Sequence, residues 1–129
     1  MSKTNFSIEE LLENVIEGVL GKKGKNVVTL DMSLINNPFC DYFVICEGDS
    51  NTHVDAIAHS VEVTVKNKLG EYTWHKSGYE NAQWILLDYG DIIVHVFQEE
   101  YRTFYKLEEL WADAKLTKIE ESEFETKLH

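Results

Sequence analysis

Two apolar runs joined by a short acidic turn constrain the fold of this chain more than any other feature. Residues 83–88 and 92–98 are rich in β-branched and large apolar side chains, and Tyr89 and Gly90 stand between them with an aspartate on either side. A pattern of this kind predicts a β-hairpin. Every fold considered for this chain must therefore contain these two antiparallel strands.

The alternation of strand side chains gives the predicted hairpin two different faces. Ile92, Val94 and Val96 form a uniformly apolar face, which we expect in the core. On the mixed face, Trp84 is either an interface residue or a core residue, and His95 either donates a hydrogen bond to a partner or satisfies a neighbouring backbone group. This mixed face is made of Trp84, Leu86, Asp88, Ile93, His95 and Phe97.

Capping residues and helical periodicity predict two helices. Ser7 and Glu10 form a capping box, and the apolar positions between residues 8 and 20 follow helical spacing. Ser50 is the expected cap of a second helix, which ends at Gly70. Further strands are expected at 27–31, 42–46 and 72–75, and two short helices at 99–105 and 107–111.

This order of elements predicts an α/β (α+β) fold with a single mixed sheet of five strands and helices packed on it. The length of 129 residues suits one domain, which we place at residues 1–114. Residues 115–129 alternate charged groups with few large apolar ones, so we expect a flexible acidic tail.

The charge of the chain restricts its partners. Twelve basic residues stand against 23 acidic ones, giving a net charge of −11. Direct binding to nucleic acid or to an anionic membrane is disfavoured, whereas a basic protein is a natural partner. The two cysteines fit a reduced protein, and the chain lacks an apolar membrane segment or an export signal, so we expect a cytoplasmic protein.

No pattern in the sequence predicts catalysis, a metal site or a cofactor. The histidines lack metal-ligand spacing, and no serine lies in a nucleophile elbow. The turn Gly48-Asp49-Ser50 could cradle a phosphate, which keeps a nucleotide-binding or nucleotidyltransferase-like enzyme as the alternative. The strand expected next, at 72–75, has no carboxylate to hold metal ions, and Asp88 and Asp91 suit turn positions.

The hairpin sequence at 81–97 resembles the signature of the Iojap family, the ribosomal silencing factors. Residues 41–45 with Gly48 and Ser50, and the closing segment 102–114, resemble the same family. The resemblance implies a nucleotidyltransferase-like topology without catalytic acids. It also implies a protein that binds the large ribosomal subunit at its basic fourteenth protein, blocks joining with the small subunit and represses translation, with a further link to large-subunit assembly.

The candidate partner-binding residues lie on the hairpin and on the segment after it. We expect Tyr89 to be exposed at the turn, and Arg102 to pair with Asp88, Asp91 or a nearby glutamate. Tyr105 and Trp111 are expected more in the core than at a contact, although Tyr105 is kept as a candidate, and a homodimeric regulatory module stays open. The full set of candidates is Trp84, Asp88, Tyr89, Asp91, His95, Phe97, Glu100, Arg102 and Tyr105.

Overall fold

The computed structural model describes residues 6–35 and 40–121, which form one mixed sheet with helices on both faces. Strand β2 runs parallel to β5, and the other neighbouring strands are antiparallel. The strand order is β3-β4-β5-β2-β1-β6. In chain order the elements are α1 (Ile8–Gly21), β1 (Lys25–Asp31), β2 (Tyr42–Gly48), α2 (Asn51–Leu69), β3 (His75–Ser77), β4 (Trp84–Asp88), β5 (Ile92–Gln98), α3 (Glu99–Tyr105), α4 (Leu107–Leu110) and β6 (Lys115–Lys118).

The structure confirms the mixed α/β fold and the hairpin, but it adds a strand. Residues 115–118 were predicted to belong to a flexible tail, and instead they form β6, which pairs with β1 through Thr29 opposite Thr117. All four β6 side chains are exposed. Because these side chains face solvent, residues 115–118 lack the apolar alternation that would predict a strand. Residues 36–39, with Pro38, and residues 122–129 lie outside the described part.

The third strand also differs from its predicted position. It was expected at 72–75, but pairing with β4 begins only at His75, opposite Asp88. Tyr72 and Trp74 precede the strand and are largely exposed. Tertiary pairing has therefore overridden local propensity at this edge.

The two long helices begin where their capping residues predicted. The Ser7 hydroxyl accepts the Glu10 backbone N–H at 3.1 Å, and the Glu10 carboxylate accepts the Ser7 N–H at 3.0 Å. Ser50 caps α2 in the same way by accepting the His53 N–H, and Gly70 ends that helix in a left-handed conformation. Among the described residues, no helix is both long and apolar enough to cross a membrane.

Each face of the sheet has its own apolar core. Helices α1 and α2 cover the face that carries the predicted core residues Ile92, Val94 and Val96, all fully buried. The opposite face holds a second cluster around Phe43 and Phe97, covered by the short helices α3 and α4. Because these two helices have seven and four residues, part of this face stays uncovered.

Gly18 sets the distance between α1 and α2. A Cβ atom at position 18 would lie 2.7 Å from the Val61 Cα atom, and the Ser60 hydroxyl donates to the Gly18 carbonyl at 2.7 Å. The neighbouring atoms belong to the backbone of Ser60 and Val61, so they cannot rotate away from an added methyl group as a side chain could. The helices can pack this closely only because residue 18 has no side chain.

We predict that Gly18→Ala lowers the free energy of unfolding by about 1 to 3 kcal/mol, because the added methyl group overpacks the helix crossing. Urea unfolding followed by circular dichroism measures the change. Gly21→Ala is the matched control, since its nearest neighbour, the Ser60 Oγ atom, would lie 3.5 Å from the new Cβ. Equal stability of both variants would contradict close backbone packing at Gly18.

Candidate functional site

The uncovered part of the second sheet face carries an aromatic surface. The Trp84 ring stacks on Phe97, which lies opposite it in the hairpin, with centroids 4.9 Å apart and planes inclined by 25°. The Tyr105 ring lies 4.8 Å from Trp84, and Phe104 meets Tyr105 edge-on at 5.2 Å. We call Trp84, His95, Phe97, Phe104 and Tyr105 the aromatic surface.

The aromatic surface has a buried floor and an exposed rim. Phe97 and His95 are buried, Trp84 is half-buried, and Tyr105 and Phe104 are 47% and 75% exposed. The expectation that Tyr105 belongs more to the core is therefore wrong, and the candidate Phe97 lies beneath the surface. The chain turns back after β5, so α3 covers Phe97 and presents its own aromatic residues to solvent.

His95 orients Trp84. The Trp84 indole N–H donates to the His95 Nδ1 atom at 3.1 Å, a bond between side chains that neither sequence alternative for His95 included. Burial lowers the pKa of His95 to about 3, so its imidazole is neutral near pH 7. Since Nδ1 accepts, the proton resides on Nε2, which has no partner in the described structure.

This buried imidazole makes stability depend on pH. In the unfolded chain the pKa of a histidine is near 6.5, whereas the folded protein resists protonation of His95 until about pH 3. Unfolding is therefore favoured as the pH falls below 6.5. We predict that this one group lowers the free energy of unfolding by about 2 kcal/mol between pH 7 and pH 5.

Urea unfolding at the two pH values, comparing the wild type with His95→Gln, measures this contribution. The glutamine cannot titrate but keeps an acceptor for the indole N–H, so the variant should lose less stability on acidification. His59→Gln, which removes an exposed histidine, is the control and should keep the wild-type dependence. A similar loss in all three proteins would mean that folded His95 accepts a proton readily.

Arg102 is held inside an ion-pair network within the chain. Its Nη1 atom donates to the Asn26 carbonyl at 2.6 Å and to Glu47 at 3.0 Å, while Nε and Nη2 donate to one oxygen of Glu108. The predicted pairing with a nearby glutamate is confirmed, and pairing with the two hairpin aspartates is not observed. The network joins α3 to β1, β2 and α4 and holds the α3 aromatic residues beside Trp84.

The hairpin turn is separate from the aromatic surface. Tyr89 is 3% exposed and packs in the core beneath α2, so its predicted exposure is wrong. Asp88 accepts the Gly90 N–H at 2.8 Å, and Asp91 is exposed. Because Asp88 lies four residues from Trp84 along β4, the strand rise places them about 14 Å apart.

Exposed acidic residues lie on α3 and α4, the two helices that follow the hairpin. Glu99 and Glu100 are exposed in the first turn of α3, and Glu109 is exposed on α4. Sequence analysis included Glu100 but missed two exposed apolar side chains, Phe104 and Leu110. Each of these two residues is an apolar position in a short predicted helix that was not assigned to the core, and this could have indicated exposure.

The turn that could have held a phosphate uses its donors internally. The Asp49 N–H donates to the His53 Nδ1 atom at 2.9 Å, and the His53 N–H donates to Ser50.

Burial raises the pKa of both Cys40 and Cys46 to about 12, which keeps the thiols protonated. Within residues 6–35 and 40–121, no three His, Cys, Asp or Glu side chains are grouped to hold a metal ion.

The comparison with known proteins decides the family. The model of the family described as "Ribosomal silencing factor during starvation" matches residues 5–128. The chain belongs to this family. The match confirms the resemblance seen in the hairpin, and it extends beyond residue 114 to include β6.

Individual members of the silencing factor family agree with this assignment. A ribosomal silencing factor of Halalkalibacterium halodurans is 41% identical over 115 residues, which cover 89% of this chain and 97% of the relative. A silencing factor of Bacillus subtilis is 37% identical over 77% of this chain and 82% of its own length. A crystal structure from Chromobacterium violaceum has a TM-score of 0.77 and 35% identity, covering 83% of this chain and 88% of that one.

Proposed function

We propose that this silencing factor binds the basic fourteenth protein of the large ribosomal subunit through the aromatic surface and thereby blocks joining with the small subunit. The observation that carries the proposal is the exposed rim formed by Phe104 and Tyr105 beside Trp84. The identity of the partner comes from the family resemblance of the hairpin. Repression of translation follows because unjoined subunits cannot elongate.

The rim has the composition of a protein-binding surface. Aromatic side chains supply most of the binding free energy in many interfaces, because they bury a large area at a small cost in conformational entropy. Here they rest on a floor that is already packed, with Trp84 held by its bond to His95 and its stack on Phe97. Little reorganisation is needed on binding, which favours affinity.

The charges around the rim select the partner. Glu99 and Glu100 are exposed on α3, the helix that carries Phe104 and Tyr105, in a chain whose net charge is −11. A basic ribosomal protein complements this field and is attracted before contact. The arrangement, with apolar groups at the centre and charges at the edge, matches the usual anatomy of a protein interface.

A non-catalytic role agrees with the site geometry. The relatives described above are named as silencing factors and not as enzymes. The Gly48–Ser50 turn, which carried the enzyme alternative, binds its own helix through His53 and Ser50. The protein acts by occupying a surface, in the cytoplasm where subunits join, and its binding to free large subunits is compatible with a role in their assembly.

We predict that Phe104→Ala and Tyr105→Ala each weaken binding to the purified ribosomal protein by about 2 kcal/mol, the scale of an interface hot spot. Because Phe104 is largely exposed, Phe104→Ala should change the folding stability by less than about 0.5 kcal/mol, whereas Tyr105→Ala should also lower it by about 0.5 to 1.5 kcal/mol through loss of the ring contact with Trp84. Val63→Ala is the control, because Val63 is exposed on α2, beyond the opposite sheet face. Calorimetry gives the affinities, and thermal melts give the stabilities.

The same variants test the block of subunit joining. In a reassociation assay with purified subunits, the wild type and Val63→Ala should lower the yield of joined ribosomes, and the two rim variants should do so only at higher concentration. Normal joining at saturating wild-type protein would overturn the proposed function. Trp84→Ala is less suitable, since it also removes the stack on Phe97 and the bond to His95.

A charge reversal at the rim tests electrostatic attraction. Glu100→Lys should slow association with the ribosomal protein several-fold at low salt while changing the dissociation rate little, because the rim charge acts mainly before contact. Asp55→Lys makes the same change of charge on α2 and should slow association less. Stopped-flow measurements at two ionic strengths give the association rates. Equal association rates for the two variants would contradict a local role of Glu100 and would mean that only the net charge of the chain matters.

A further inference from the structure

A second pair of exposed aromatic residues lies at the β3 edge of the sheet. Tyr72 and Trp74 are 63% and 71% exposed and lie just before β3, the outermost strand on that side. They belong to neither core cluster. Large aromatic side chains left this open on a folded chain indicate a binding surface more often than a stabilising role.

Trp74 packs against the turn of the hairpin. The Trp74 N–H donates to the Asp88 carbonyl at 2.8 Å, which fixes its backbone to β4. A Cβ atom at Gly90 would lie 2.8 Å from the Trp74 ring, so the indole rests directly on the glycine backbone. One part of the ring is therefore supported while most of it stays open to solvent.

Two lysines and one glutamate line a small cavity with Tyr72, namely Lys66, Lys76 and Glu62. The Lys66 ammonium lies 5.9 Å from the centre of the Tyr72 ring, and Lys76 pairs with Glu62 at 3.2 Å. Both lysines are exposed, and residues 66–76 contain three lysines and one glutamate in a chain that is otherwise strongly acidic. An exposed ion pair is weak, so Lys76 can exchange Glu62 for another anion. We call Lys66, Tyr72, Trp74 and Lys76 the edge patch.

We propose that the edge patch binds a short segment of single-stranded RNA, with bases stacked on Trp74 and Tyr72 and phosphates bound by Lys66 and Lys76. Aromatic platforms combined with cations are the usual means of holding unpaired nucleotides without sequence preference. The net charge of −11 disfavours extended nucleic-acid binding, and the patch confines the contact to a few nucleotides.

The charge of its border distinguishes the edge patch from the aromatic surface. Exposed glutamates share α3 with Phe104 and Tyr105 and suit a basic protein, whereas Lys66 and Lys76 line one cavity with Tyr72 and Glu62 and suit an anionic partner. A partner that is both anionic and rich in flat rings is a nucleic acid. The inference uses different residues from the proposed function, and the two can fail separately.

Fluorescence anisotropy with a labelled single-stranded adenosine RNA of about twelve nucleotides tests the proposal. Trp74→Ala and Tyr72→Ala should each raise the dissociation constant about tenfold, the effect of losing one stacked base. Trp74→Phe, which keeps an aromatic face, should recover most of the loss. Val63→Ala changes an exposed neighbour that cannot stack and should stay within about twofold of the wild type.

Further measurements separate this surface from the aromatic surface. Phe104→Ala should bind the RNA normally, and Trp74→Ala should bind the purified ribosomal protein normally, with melting temperatures unchanged in both. A fully base-paired RNA should bind more weakly than the single strand, because its bases cannot stack on a side chain. Absence of RNA binding by the wild type at low salt would overturn the proposal. So would a loss of ribosomal-protein binding in Trp74→Ala and Val63→Ala with unchanged RNA binding, which would make the patch a protein-docking face.

Discussion

The aromatic surface depends on the ion pairs of Arg102. This side chain is almost fully buried, and it reaches Glu47 on β2, Glu108 on α4 and the Asn26 carbonyl on β1. A buried pair of charges stabilises less than apolar packing of equal volume, but breaking it leaves an uncompensated charge and is costly. The network therefore fixes where the chain turns back after β5, and with it the position of Phe104 and Tyr105.

The hairpin serves both faces of the molecule at once. Its apolar face packs against α2 and needs no partner outside the chain. On its other face the Trp84 indole stacks on Phe97 and donates to His95, so its orientation is fixed in the free protein. Binding surfaces with preorganised aromatic groups lose less entropy on association, which links the packing of this sheet to its proposed affinity.

Local patterns predicted the elements that are governed by their neighbours in sequence. The caps of both long helices and the alternation of β4 and β5 were predicted correctly, because caps and periodicity are short-range properties. Strand β6 was missed because all of its side chains are exposed and its pairing with β1 joins residues far apart in the chain. Tyr89 was misplaced because a turn residue next to two aspartates is usually solvated, whereas here α2 covers it.

The sequence by itself determined the class of fold, the acidity of the chain and the family resemblance of the hairpin, since these are contained in composition and contiguous motifs. Only the tertiary structure decided which aromatic residues are exposed. Exposure depends on the return of α3 across the sheet, which long-range hydrogen bonds to Glu47 and Asn26 hold in place. Periodicity assigns a side chain to a face of its own element, but what covers that face is decided by packing with distant parts of the chain.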